Sequence, residues 1–394
     1  MCGSVAHAAG AKCAEAIKGI RFMPTLAAHR HGPRPRIVVV SCLFAFFVAV
    51  SAQAGELAFL DIGYLPGASP DTTGVVAVSG DGHAFIGSSG GRGFRWRGGV
   101  MTEIGTGAAP SAVNADGSVV VGQTIANKHA FLWDEVSGLH DLGELASFSG
   151  PTFATGVSAD GLTVAGYTQR DDYSTRAWIW TASGGMQDIG ELAPGNSAAS
   201  GISGDGTIIV GYSAGHAFRW TAETGMVDIT PDLGTDNAVS GAAGISTDGS
   251  TIIGSYNLTP GAPHVWGRQF GWTAETGLFD LPWPPWGDTA TPGSAFATSA
   301  DGSRIVGEII DWFFYASLWT AQIGTVDLNA YLASRGLDTS DWDLLQTVSI
   351  SGDGDVIVGG GYHGGLGGAT YQSWIVTGLN STETIFASTF DPHI

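Results

Sequence analysis

The sequence predicts an all-β fold, a seven-bladed β-propeller with four-stranded blades. Three observations predict it. An Asp-Gly pair recurs seven times, an aromatic run follows most of the pairs, and one repeat unit is divided between the two ends of the chain. A β-solenoid or a ring with a different blade count are the alternatives.

The pairs stand at Asp81, Asp116, Asp160, Asp205, Asp248, Asp301 and Asp353, in VSGDG, VNADG, VSADG, ISGDG, ISTDG, TSADG and ISGDG. Asp-Gly between apolar runs signals a hairpin, here expected as a type I′ turn with both central residues at positive φ. The Ser or Asn two places before Asp is placed to cap it. The second strand is an apolar run ending in Gly, as in TIIVG, where Gly fits close strand packing. The third is aromatic: GFRW, HAFLW, RAWIW, HAFRW, FGW, ASLW. In HAFRW, alternation puts His216, Phe218 and Trp220 on one face and Ala217 and Arg219 on the other. In the last unit, SWIVT, Trp374 takes the Phe position. A turn such as TAETG leads to the fourth strand, as in MQDIG or MVDI. AYLASRG (330–336) is the one segment with the look of a helical turn.

The ends complete each other. LAFLDIGYLPG (57–67) aligns with MQDIGELAPG (186–195), a fourth strand without its first three. The last unit stops after its third strand, SWIVTGL. The N-terminal strand is therefore expected to finish the last blade and close the ring, whereas an open solenoid needs capping repeats.

Residues 1–54 read as a secretory signal peptide, with Met23 as an alternative start. Arg30, Arg34 and Arg36 precede the apolar run 37–50, and Ala52-Gln53-Ala54 forms the cleavage site. Fourteen apolar residues are too few to span a bilayer comfortably. Residues 55–379 then form the propeller and 380–394 a short polar tail. The expected location is periplasmic, cell-surface or extracellular. Cleavage removes all 3 cysteines, which excludes disulfides and thiol chemistry. It takes six of the 16 basic residues and one of the 36 acidic ones, leaving 10 against 35 and moving the net charge from −20 to −25. Such a surface excludes nucleic acid as a partner and attracts cations.

The iterated pattern S-x-D-G, H-A-F-x-W, G-x-x-D-[IL]-G resembles the HAF-repeat family of bacterial extracellular proteins. HAFLW (129–133) and HAFRW (216–220) carry the resemblance, which covers about residues 57–379. It implies export and surface or extracellular residence, sometimes as an autotransporter passenger, and no particular activity.

Four motifs invite a chemical reading. GYSAG (211–215) matches the nucleophile elbow, but a strand is expected after it where the elbow needs a helix. GGGYHG (359–364) matches a phosphate-binding loop with no βαβ unit around it, and reads as a flexible loop. The Asp-Gly carboxylates and Asp171-Asp172 are the Ca²⁺ candidates, although calcium wants six to eight converging oxygens; no cofactor is expected. His129 and His216 read as packing or hydrogen-bonding residues of the third strand.

Antiparallel order sends the Asp-Gly and TAETG-like turns to one side of the ring. The 2–3 loops and inter-blade links go to the other, where lengths vary and binding normally resides. The candidate ligand-binding residues there are Asp171, Asp172, Tyr173, His264, Trp266, Arg268, Trp283, Trp286, Trp312 and Tyr362. Loop aromatics suit a sugar or a protein partner, and they equally suit small cores within the loops. Three readings stay open: a non-enzymatic binding module, an enzyme acting on an extracellular polysaccharide, and a structural or passenger domain.

Overall fold

The repeat residues build blade 4 in the expected order: Ser197–Ile202, Ile209–Ser213, His216–Thr221 and Gly225–Asp228. The computed structural model describes residues 56–230, 239–257, 267–282, 292–310, 313–364 and 370–381. The stretch read as a signal peptide, residues 1–54, lies outside them. Seven four-stranded antiparallel sheets are present, and their inner strands touch around a closed circle. The fold is a seven-bladed β-propeller.

Blade 7 confirms the divided repeat. Trp342–Ile350, Ile357–His363 and Thr370–Thr377 supply its first three strands, and Ala58–Phe59 supplies the fourth. Ala58 pairs with Thr377 and Phe59 with Val376, and the Leu60 N–H donates to the Ile375 carbonyl at 2.9 Å.

The Asp-Gly turns differ from the expected type I′. Only the glycine takes positive φ, +72° at Gly206. The Ser203 N–H donates to the Ile208 carbonyl, so the loop holds four residues, 204–207. The cause is Ser203. Its hydroxyl donates to Asp205 Oδ1 (2.6 Å) and accepts from the Ile208 N–H (3.0 Å), while Asp205 accepts from the Thr207 N–H. Two side chains thus do the work that a two-residue turn leaves to the backbone.

The residue between Ser and Asp links neighbouring blades. The N–H of Asp81 donates to Ala115 O, Ala115 to Ala159, Ala159 to Gly204, Gly204 to Thr247, Asp248 to Ala300, Ala300 to Gly352, and Gly352 to Gly80. Seven backbone bonds of 2.8–3.4 Å form a hoop around the axis.

Each inner strand carries a β-bulge, between Ala199 and Gly201 in blade 4. The bulge turns the Ala198 carbonyl over Gly211, where any β-carbon would overlap it. The same glycine lies opposite the aromatic of the third strand. Gly87–Phe94, Gly122–Phe131, Gly166–Trp178, Gly211–Phe218, Gly254–Phe270 and Gly359–Trp374 are direct cross-strand pairs. Trp374 does take the Phe position. Blade 6 departs, with Ser317 opposite Gly307.

The core lies between blades. Phe218 and Trp220 pack with Ala165 and Ala177 of blade 3, while Ala217 and Val210 pack with Ile252 and Phe270 of blade 5. The expected alternation in HAFRW therefore holds. The helix spans Leu328–Ser334 and so begins and ends two residues earlier than AYLASRG, because Asp327 caps it by accepting from the Asn329 N–H at 2.7 Å.

Candidate binding face

Most of the repeat's polar residues are consumed by the scaffold. In five blades the residue two places before the third-strand core aromatic is basic and faces an acid on the fourth strand: Arg92–Glu103 at 2.9 Å, His129–Asp141 at 2.9 Å, Arg176–Asp188 at 3.8 Å, Arg268–Asp280 at 3.4 Å. His216 lies 3.0 Å from Asp228 at an ion-pair distance, though not aligned as a hydrogen bond. The acid also accepts the N–H two residues on, as Asp141 does from Gly143 and Asp188 from Gly190. The following Ala donates its N–H to the next blade: Ala130 to Thr152 Oγ1, Ala177 to Ser197 Oγ, Ala217 to Ser240 Oγ. His-Ala-Phe is thus a clasp, a tie to the next blade and a core ring. Glu144 also holds His129, at 3.1 Å. Partial burial opposes the charge on His129, but the bonds and charges of Asp141 and Glu144 outweigh it and raise its pKa.

GYSAG bends between two strands. Ser213 is buried and its hydroxyl accepts the Leu192 N–H at 3.0 Å, so it is not placed as a nucleophile. GGGYHG is not the loop expected but lies mostly in the second strand of blade 7. Its glycines leave room for the Trp374 ring, the Tyr371 hydroxyl and the bulged Asp343 carbonyl.

The long loops and links share one face, as antiparallel order requires. Asp171, Asp172 and Tyr173 lie in the 2–3 loop of blade 3. Asp172 accepts the Ser174 N–H and hydroxyl, whose bonds lower its pKa. Tyr173 turns the chain at φ +64° and is 78% exposed. Arg268 belongs to the clasp of blade 5, where Tyr256 also donates to Asp280. Tyr362 packs edge-on against Tyr371, with ring centroids 5.8 Å apart. His264, Trp266, Trp283, Trp286 and Trp312 lie outside the described residues. The described candidates stand on three different blades, and no contact between those on different blades joins them.

Ring closure creates a site that sequence reasoning missed. A cavity of about 450 Å³ opens where blade 7 meets blade 1. Trp342, Phe59, His363, Tyr64, Asp61 and Trp374 contribute to its lining. Trp342 stands between Phe59 (5.7 Å, interplanar 24°) and His363 (4.7 Å). These residues are far apart in sequence, and only the expected closure of the ring pointed to them.

Glu308 is a second group that went unremarked. It follows the glycine of the second strand, Arg304–Ile310, in blade 6 and is 8% exposed. Burial pushes its pKa up to about 7. Among the described residues, no group of three His, Cys, Asp or Glu is arranged to hold a metal, and no helix is long and apolar enough to cross a membrane.

No family model matches the chain, and no curated protein matches it in sequence. Solved structures match in fold. A puromycin hydrolase is 12% identical with a TM-score of 0.53, covering 84% of this chain and 57% of that one. Hydrazine synthase of Kuenenia stuttgartiensis is 15% identical (TM-score 0.45; 78% and 98% covered). TolB of Acinetobacter baumannii is 13% identical (TM-score 0.41), matched over 66% of this chain and 64% of its own length. At such identities the likeness is one of fold alone.

Proposed function

We propose that the chain is an exported, non-enzymatic binding propeller of the HAF-repeat kind, holding its ligand on the long-loop face. The seam cavity carries this reading: it is a concave, aromatic-lined site on that face, of the size small ligands occupy. The opposite face offers short, uniform turns whose side chains are spent on their own geometry. A glycan array and an affinity pull-down with the purified protein test it. Binding is expected to weaken in Trp283→Ala, Trp286→Ala or Tyr64→Ala and to persist in Val136→Ala, which alters an exposed residue of a turn on the other face. Binding that follows Val136 instead, or no partner of any kind, would count against it. Export predicts a secreted form whose N-terminal sequence begins at Gly55, and retention of the intact chain in the cytoplasm would overturn that part.

A polysaccharide-degrading enzyme is the second reading, and Glu308 favours it as a carboxyl able to donate a proton near neutral pH. Glycoside hydrolysis uses a pair of carboxyl groups, and burial is the sole influence on Glu308. Turnover of a polysaccharide that disappears in Glu308→Gln would establish this reading over the first.

A further inference from the structure

We propose that the seam cavity between blades 7 and 1 binds a neutral sugar ring, one unit of a longer polysaccharide. This rests on the binding reading above and names its ligand class. Three features of the lining lead to it.

The first is aromatic surface. Tyr64 lines the cavity and remains 52% exposed, so a ring face is open to a ligand. Trp342 is fixed between Phe59 and His363 and gives a rigid wall. Flat apolar surfaces of this kind match the C–H faces of a pyranose and lose little side-chain freedom on contact.

The second is an unspent donor. Trp374 is 2% exposed, lines the cavity, and its indole N–H has no hydrogen-bond partner. A buried donor without an acceptor is costly, and a ligand oxygen would relieve it. Trp178 and Trp319 leave the same atom unpaired in their blades, but neither lines this cavity.

The third is the charge of the remaining groups. Asp61 accepts the Gly63 N–H through one carboxylate oxygen at 2.8 Å, and Gln372, whose amide donates one N–H to Asp71 at 3.3 Å, also lines the cavity. Together with the Trp374 N–H these provide both donors and acceptors, as vicinal hydroxyls require. Among the described residues no lysine or arginine lines the cavity, so no permanent positive charge there balances a phosphate, sulfate or uronate. A hydrocarbon ligand would leave the polar groups unpaired. A neutral polyol satisfies all three features.

The test is a fluorescence titration of the full purified chain, since Trp342 and Trp374 report on the cavity. The probes are neutral gluco-, xylo- and chito-oligosaccharides, with oligogalacturonate and an unstructured peptide as other chemistries. Saturable quenching by a neutral oligosaccharide is expected. Tyr64→Ala is expected to weaken it about tenfold or more, as loss of an aromatic anchor does. Trp374→Phe keeps the buried ring and removes only the N–H, and is expected to weaken it about three- to tenfold. Neutral-sugar binding that both variants leave intact would overturn the proposal, as would preference for the uronate or the peptide. If no neutral sugar binds while the loop face captures another ligand, this proposal falls and the binding propeller stands. If nothing binds at all, both fall.

Discussion

Glu308 is out of keeping with its repeat. The position after the second-strand glycine holds Ser88, Gln123, Tyr167, Tyr212 and Ser255 in the first five blades, and Gly360 in blade 7. A lone carboxyl in GEII looks like any strand residue in the sequence, because its burial depends on the blade that packs over it. Its pKa rises from 4.5 to about 7, so the folded chain holds the proton more tightly than the unfolded one. Stability then falls between those pH values and levels off above, by about 3 kcal/mol at most. Glu308→Gln is expected to raise stability by about 1–3 kcal/mol at pH 8 and to change it little at pH 4, as read by denaturant titration at both. His129 shares that pH trend for a different reason, since its charged form is the favoured one. Its pKa is raised by its acid partners, so its contribution is fully present below about pH 6.5 and is lost as pH rises through the raised value. The stability gap between the wild type and His129→Gln should shrink steadily from pH 6 to pH 9. A gap that widens would contradict the clasp.

The strands were legible because the repeat states each of them several times. Phe218, Trp178 and Trp374 fall on one position, and the glycine opposite explains why each needs a small partner. Gly211→Ala would drive a methyl group into the Ala198 carbonyl, where no flexible side chain is available to yield. A loss of about 2–4 kcal/mol is expected, seen as a lowered melting temperature. The turns were legible in place but not in type. Asp-Gly alone suggests two residues, and the Ser before it lengthens the loop through bonds that composition does not announce. The long loops stayed obscure for the opposite reason, since each occurs once and has no second copy to check it. Of the ten candidates read from them, Arg268 pairs with Asp280, and its alignment with His129 and His216 was the available signal for that pairing.

At the scale of the molecule, closure rests on a short strand. Ala58 and Phe59 complete blade 7, and Arg335 ties the other end by donating to the Leu379 and Ser381 carbonyls at 2.6 Å. Removing residues 55–60 is expected to expose the edge of blade 7, lower the melting temperature and abolish any ligand binding at the seam, where Phe59 and Leu60 form part of the wall. Differential scanning calorimetry of the truncated and full chains checks the first effect. An unchanged transition would show that the inner strands alone hold the circle.

The hoop of seven backbone bonds has an electrical consequence. Peptide dipoles in a helix add along one axis and leave a pole at each end. Here the bonds run head to tail around a circle, and their tangential components cancel. The turn face therefore has no backbone pole of its own, and its potential is set by side chains. Asp116, Asp160, Asp205 and Asp301 are exposed around it, and hydrogen bonds from neighbouring hydroxyls and amides hold them below the usual carboxylate range, Asp301 at about 2. The face keeps its negative charge well into acid, so two copies brought together turn face to turn face repel.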